Sequence, residues 1–512
     1  MTFFESLLAL LLAAILCLQV SRRIGLPYPA MLAAAGVAVA LIPGSPTIVL
    51  QPETALALFI TPALVDAAFD FPLGAALRLW VPLVALAVVA VLVTAGLVAW
   101  AGWAMAGLPI AAAVALGAIV APPDAVAATA VLGNLSIPRS TDAVLRGESL
   151  FNDATALLLF GAATAVQAAG GLHADVGLQL ALAAPGGVLL GIAAAWLQRH
   201  VNHFVEGTLG GNLLQFVYAF LLWIVAERLH LSAVLALVAF AMTIARWATT
   251  TTSPRMRVHS FAVWTTVVFL LNVVAFLLMG MQSRVIVRGM SDARLWEAAR
   301  FAGAVIGIVI VSRMGVVIAF NRVTAWTYRR RGEEPRAKLS QSVLVGWAGM
   351  RGILTLATAF ALPKEFPQRD LIVLTAFAVV LATLVIQGAT LGPLIRMLGL
   401  DRRETQAAEL AGARAGLTAA ALRALGNHGG DEAEQLRRHY RLQHEAWAHG
   451  VEKPARRLRK LGLETVAAQR ETLEEMRANH RLGLEEYLLL QEELDWKELT
   501  LLPEDDRRIE ES

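Results

Sequence analysis

Hydrophobic and polar positions fall in long blocks along this chain, not in short alternations. Thirteen blocks read as membrane-type helices: 3–20, 25–43, 54–72, 80–105, 108–133, 146–169, 176–197, 212–229, 231–248, 261–282, 298–325, 340–362 and 370–398. A hydrocarbon core of about 30 Å needs roughly 20 mostly apolar helical residues to cross it. Beyond residue 400 the pattern changes to helices with charged faces, expected at 404–425, 431–449 and 468–499. In the last of these, Leu473, Met476, Leu482, Tyr487, Leu490 and Leu494 recur only loosely. The expected architecture is an all-α polytopic membrane protein with about 13 transmembrane helices over 1–400, followed by a soluble helical tail over 401–512.

Two blocks carry their own interruptions. In the fifth, Pro122-Pro123-Asp124 removes two backbone donors near the centre, so two half-helices are expected. In the twelfth, Gly346, Gly349 and Gly352 surround Trp347 and Arg351 and weaken the helix centrally. If blocks one to six and eight to thirteen are two repeats joined by block seven, the interruptions occupy matching places. Paired broken helices in two halves are the best sequence pointer to a transporter's binding site.

Composition sharpens the class. Of the 512 residues, 57% are hydrophobic and only 16% charged, against roughly 25% in a soluble domain; mean hydropathy is +0.61. Residues 401–512 hold 18 Lys+Arg and 23 Asp+Glu, which leaves 25 and 17 for the first 400, net −5 and net +8. The basic excess belongs to loops between spans and gives no reason to expect nucleic acid. Fifteen basic residues fall in odd-numbered loops (among them Arg22, Arg23, Arg322, Arg329, Arg330 and Arg336) and seven in the others, Arg284 and Arg288 included. That bias favours a cytoplasmic C-terminus, and a multi-pass place in the cell's inner membrane is expected. Cys17 is the single cysteine, so neither a disulfide nor a cysteine metal site is available.

Few acidic residues lie inside the blocks. Asp124 interrupts the fifth, and Asp153 lies 29 residues on, within Glu148-Ser149-Leu150-Phe151-Asn152-Asp153. A carboxylate at this depth costs about 2.5–3.5 kcal/mol even on a lenient scale, and chains keep such groups on ion or proton paths. Glu148 and Asn152, and likewise Ser149 and Asp153, are four apart, so all four cover one side of a helix. A dehydrated Na⁺ or Li⁺ wants oxygen ligands. Asp153, Asp124 and Ser149 supply three, with freed backbone carbonyls near 121–123 and water for the rest. A free aspartate titrates near 3.9, too low for a proton to compete near neutral pH unless burial and a like charge intervene. Glu148 then needs a cation of its own: a structural Glu148–Arg313 ion pair is expected, with Arg351 as the second candidate.

Taken together, GESLFND (147–153), PPDAVA (122–127), SRMGVV (312–317), GMRGILTLA (349–357) and the stretch 261–282 resemble the NhaP/NHE-type monovalent cation/proton antiporters. The resemblance covers roughly residues 1–400. It implies a homodimer in which a core part, around 80–170 and 298–398, moves in an elevator-like cycle against a dimerisation part made of the remaining helices. It implies that Asp153 carries cation and proton, with Asp124, Ser149 and Asn152 beside it, that Asp66 lies near the ion path, and that Glu148 pairs with Arg313. Asn152 before Asp153 implies electroneutral one-for-one exchange. The chain departs from the family where Pro123 stands in place of the usual threonine, which leaves K⁺ open beside Na⁺.

No cofactor is expected, only transported Na⁺, Li⁺ or K⁺ and H⁺. Nucleotide motifs are absent, so a secondary transporter is expected and an ATP-driven pump is not. A K⁺-selective antiporter, a cation channel and an intramembrane carboxylate enzyme are the alternatives. In the tail, His428, His439, His444, His449 and His480 read as solvated surface histidines without zinc-type spacing.

Overall fold

Apolar, alanine- and leucine-rich runs form helices wherever proline permits, and prolines mark several starts. Pro27, Pro72, Pro109 and Pro138 each immediately precede a helix, while Pro254 opens one at its first position. The computed structural model describes residues 3–24, 27–42, 52–124, 127–129, 137–171, 174–202, 208–251, 253–282, 292–333, 338–449 and 452–502. Residues 125–126 and 130–133 of the fifth block, the loop arginines Arg284, Arg288 and Arg336, and the tail beyond 502 lie outside these; Arg22 is helical but its side chain is not described.

The chain forms two compact units, Met1–Asp401 and Arg402–Glu511. The first contains α1 (Phe3–Ile24), α2 (Tyr28–Leu41), α3 (Pro52–Asp70), α4 (Leu73–Arg78), α5 (Trp80–Ala106), α6 (Ile110–Val120) and α7 (Arg139–Ala169). It continues through α8 (Ala174–Asn202), α9 (Leu209–Arg228), α10 (Ala233–Thr251), α11 (Pro254–Met281) and α12 (Asp292–Arg330) to α13 (Leu339–Trp347), α14 (Ile353–Phe360) and α15 (Arg369–Met397). No strand occurs among the described residues. Seven of the described helices are long and apolar enough to cross a membrane; α2 and α6 are among the shorter apolar ones.

Side chains in the first unit gather in two main cores. One draws on α5, α6, α12, α13 and α15, through residues such as Leu116, Val305, Leu344 and Val380. The other draws on α3, α8, α9 and α10, through residues such as Leu64, Trp223 and Leu237. Several elements contribute to both, α7 and α14 among them. Helix α7 gives Leu145 and Ala163 to the first core and Leu150 and Ala154 to the second. Helix α14 gives Ile353, Leu356 and Ala359 to the first and Leu354 and Ala357 to the second. The helix that carries Asp153 is thus one of those lying at the seam between the cores.

The second unit contains α16 (Arg403–Leu425), α17 (Asp431–His449), α18 (Glu452–Ala478) and α19 (Leu484–Leu501). The helix expected over 468–499 is instead parts of two, reversed at His480, whose φ is +55°. The loose periodicity has a simple cause: Leu473 on α18 and Tyr487 and Leu494 on α19 face one another across a hairpin, with Val466. Arg470 clamps it through Asp495 and Glu498, and the Tyr487 hydroxyl donates to Glu474 at 2.5 Å. His428, His439 and His480 are exposed, as expected. His444 corrects that reading: it is half-buried, its Nδ1 3.1 Å from the Thr418 hydroxyl. The side chain of His449 is not described.

Candidate functional site

Pro122 and Pro123 lack the N–H groups that would close the last turn of α6 onto the carbonyls of Ala118 and Ile119. The helix stops at Val120 and resumes beyond Asp124, whose carbonyl accepts from the Ala128 N–H at 3.3 Å. A second chain break, 348–352, separates α13 from α14. The two breaks meet. The Asp124 N–H donates to the Met350 carbonyl at 2.7 Å. In the other direction, Arg351 donates from Nε to the Val120 carbonyl and from Nη2 to the Ala121 carbonyl, each at 3.0 Å. Its Nη1 donates to the Gly349 carbonyl, and its own N–H goes to the Thr383 hydroxyl at 3.1 Å.

This exchange solves the problem a broken helix creates in a membrane, where no solvent reaches the freed carbonyls. A fully buried guanidinium with 0% exposure supplies the missing donors and opposes the negative end of α6. The alternative of Arg351 snorkelling to an interface, or neutralising Glu148, is not what its contacts show.

Glu148 is held by Arg313 instead. Nη1 lies 2.5 Å from Oε1 and Nη2 3.1 Å from Oε2, with both side chains almost wholly buried. Arg313 Nη2 also donates to the Val345 carbonyl at 3.1 Å, the C-terminal end of α13. Each of the two half-helix C-termini thus faces its own arginine.

Two glycines make room for these side chains. A Cβ on Gly349 would overlap the Arg313 side chain, and one on Gly352 would overlap the Asp124 carboxylate. Asp124 therefore lies against the residue that immediately precedes α14, next to the N–H groups that open that helix.

The four polar residues of α7 are not equally buried. Glu148 and Asn152 are buried, their side chains bonded into the crossing; Ser149 and Asp153 are half-buried beside them. Asn152 Nδ2 donates to the Pro123 carbonyl at 3.1 Å, so its amide brackets the first break. Asp153 and Asp124 are close enough to interact electrostatically. Asp66 is half-buried on α3, which packs against α7 and α14. Among the described residues no cluster of three or more His, Cys, Asp or Glu forms a metal site.

Sequence reasoning missed Thr383 and Thr390 on α15. The first receives the Arg351 N–H; the second accepts from the Trp347 indole at 2.9 Å. The available signal was the set Thr375, Thr383, Gln387 and Thr390 in an otherwise apolar helix.

The transmembrane sodium/hydrogen exchanger family matches residues 7–397. A sodium, potassium, lithium and rubidium/H⁺ antiporter of Bacillus pumilus is 29% identical over 393 residues, 72% of this chain and 57% of that protein. An uncharacterized Na⁺/H⁺ exchanger of Mycobacterium tuberculosis is 33% identical over 348 residues, 65% of this chain and 63% of that one. The chain thus spans less than two thirds of the length of either. The Na⁺/H⁺ antiporter NhaH of Halobacillus dabanensis is 28% identical over 358 residues, covering 68% and 83%. In structure, the sodium proton antiporter MjNhaP1 of Methanocaldococcus jannaschii superposes with a TM-score of 0.59 at 15% identity, over 78% of this chain and 100% of that one. That likeness shows a shared fold. With the family match extending over residues 7–397, this chain belongs to the transmembrane sodium/hydrogen exchanger family.

Proposed function

We propose that this chain is a secondary active transporter that exchanges an alkali cation, Na⁺ first and Li⁺ or K⁺ beside it, for H⁺. One observation carries the reading: two carboxylates, Asp153 and Asp124, stand within electrostatic reach where two helix breaks meet, in an apolar helical unit. Their mutual repulsion is relieved by one cation or by one proton, which makes the two ligands competitors. Asp153, Asp124 and the Ser149 hydroxyl form the cation site, and Asp66 lines its approach. Glu148, already neutralised by Arg313, stays out of the cycle. With Asn152 engaged on the Pro123 carbonyl and uncharged, the pair binds one cation or one proton per turn, an electroneutral exchange.

Alternating access follows the seam between the two cores. In this reading the core part, around 80–170 and 298–398, slides in an elevator-like motion against the remaining helices, which hold a homodimer in the inner membrane. The C-terminus is cytoplasmic and 401–512 is regulatory. Pro123 offers no hydroxyl, so K⁺ selectivity is the second reading.

The test is transport by purified protein in liposomes under a proton gradient. Cation-dependent collapse of ΔpH in the native protein, and its loss in Asp153→Asn, is the expected result. Current without proton coupling would mean a channel, and steep dependence of turnover on voltage would rule out electroneutrality.

A further inference from the structure

The outer face of α12 carries a groove that the exchange site does not use. Its volume is about 600 Å³, and it is lined by Ile310, Val311, Met314, Ile318, Arg322 and Trp347, with Gly315 and Ala319 as its floor. Every lining side chain is apolar except Arg322 and the indole N–H of Trp347. That N–H is committed to Thr390 at 2.9 Å, which fixes the ring as one wall. The groove therefore offers an apolar trough closed at one end by a cation.

Length and surroundings decide what fits. The twelve steps from Ile310 to Arg322 rise about 18 Å at 1.5 Å each, close to one leaflet of a hydrocarbon core about 30 Å thick. The groove opens on helices long and apolar enough to span a membrane, so acyl chains are its solvent. Charge then selects among lipids. From Ala298 to Gly332 the chain has no acidic residue. One turn past Arg322, Trp326 is exposed and carries the Arg330 guanidinium 3.7 Å from its ring centroid, an aromatic–cation pair suited to the headgroup level. Basic pockets on membrane helices bind acidic headgroups.

We propose that this groove is a binding site for one acidic phospholipid, its acyl chain lying along Val311–Gly315–Ala319 and its phosphate at Arg322. Bound there, the lipid braces Met314 and Trp347, which adjoin the second chain break. Met314 packs directly on Gly346 of α13, and its sequence neighbour Arg313 holds Glu148. Lipid in the groove thus stiffens the element on which the crossing depends, whichever ions cross it.

The experiment is native mass spectrometry and thermal unfolding of the full chain in phosphatidylcholine, with and without phosphatidylglycerol. The expected result is selective retention of one phosphatidylglycerol per chain, with a raised Tm. Arg322→Gln should weaken that retention about fivefold, the weight of one interfacial basic residue. Gly315→Leu, at a position where an added Cβ meets nothing within 4 Å, should fill the trough and abolish retention. Val311→Trp narrows the groove from an exposed position and serves if the leucine variant folds poorly. Equal retention of phosphatidylcholine, unchanged retention in all variants, or an equal rise in Tm with glycerol phosphate alone would each overturn the assignment.

Discussion

Arg351 gives its Nε–H to the carbonyl of Val120 across 231 positions of sequence, at 3.0 Å and out of reach of solvent. The bond joins the two chain breaks, because the same guanidinium also reaches Ala121 while Asp124 returns a bond to Met350. The first prediction concerns this contact. Arg351→Gln leaves the Val120 and Ala121 carbonyls competing for a smaller donor set, and an unmet buried group costs about 1–3 kcal/mol. Thermal unfolding in detergent should fall by several degrees, and Arg351→Lys, with one point charge where a planar fork stood, should recover only part.

The Glu148–Arg313 pair is buried on both sides. Glu148→Gln or Arg313→Gln strands the partner and should cost about 3–5 kcal/mol. Replacing both at once, as Glu148→Gln with Arg313→Gln, should be milder than the sum of the single changes. A double-mutant cycle on unfolding measures the difference, and strict additivity would remove the coupling from the account.

Gly352 is predicted to set the position of Asp124. Gly352→Ala places a methyl group where the carboxylate now sits. Cation KM should rise about tenfold or more, as expected when a ligand is moved within a preformed site. Gly303→Ala, on an open face of α12, is the control and should leave KM unchanged.

Pro123→Thr restores both an N–H for α6 and a hydroxyl beside Asp124. A hard oxygen ligand added to the site should move preference toward the smaller cation. The ratio of Na⁺ to K⁺ concentrations that half-collapse ΔpH should fall.

One pH dependence is legible outside the membrane. The hydrogen bond from Arg437 holds the Glu434 carboxyl below its ordinary value. A lowered folded-state value means a stabilising contribution that is complete above the unfolded value, roughly 4.3, and lost as pH falls through the lowered one. Unfolding of the 402–511 unit within the full chain, compared near pH 6 and near pH 3.5, should show a small loss that Glu434→Gln removes.

Much of the first unit was legible in residue pattern. Proline at 122–123 has no N–H in any environment, so the first break was written locally. An arginine at 313, deep in an apolar run, needed a partner of opposite sign, and Glu148 was among the few buried acids. The role of Arg351 was not legible, because its partners are backbone carbonyls, and a carbonyl leaves no mark in sequence. The division of α7 was equally hidden. Glu148 and Ser149 differ by about 100° around a helix, and only neighbouring helices decide which of the two is buried. The hairpin of α18 and α19 was misread as one helix for the same reason, since helical periodicity does not reveal a reversal at Asn479 and His480.

The sequence by itself determined a helical membrane unit with two interruptions, a charged tail and a short roster of buried ionisable groups, because hydropathy, proline chemistry and charge act over one or two turns. Tertiary structure alone decided that the interruptions touch, that one arginine serves carboxylate and the other backbone, and that Asp153 lies on the seam between two cores. Those outcomes depend on which helices approach within hydrogen-bonding distance, a property of the whole packed chain.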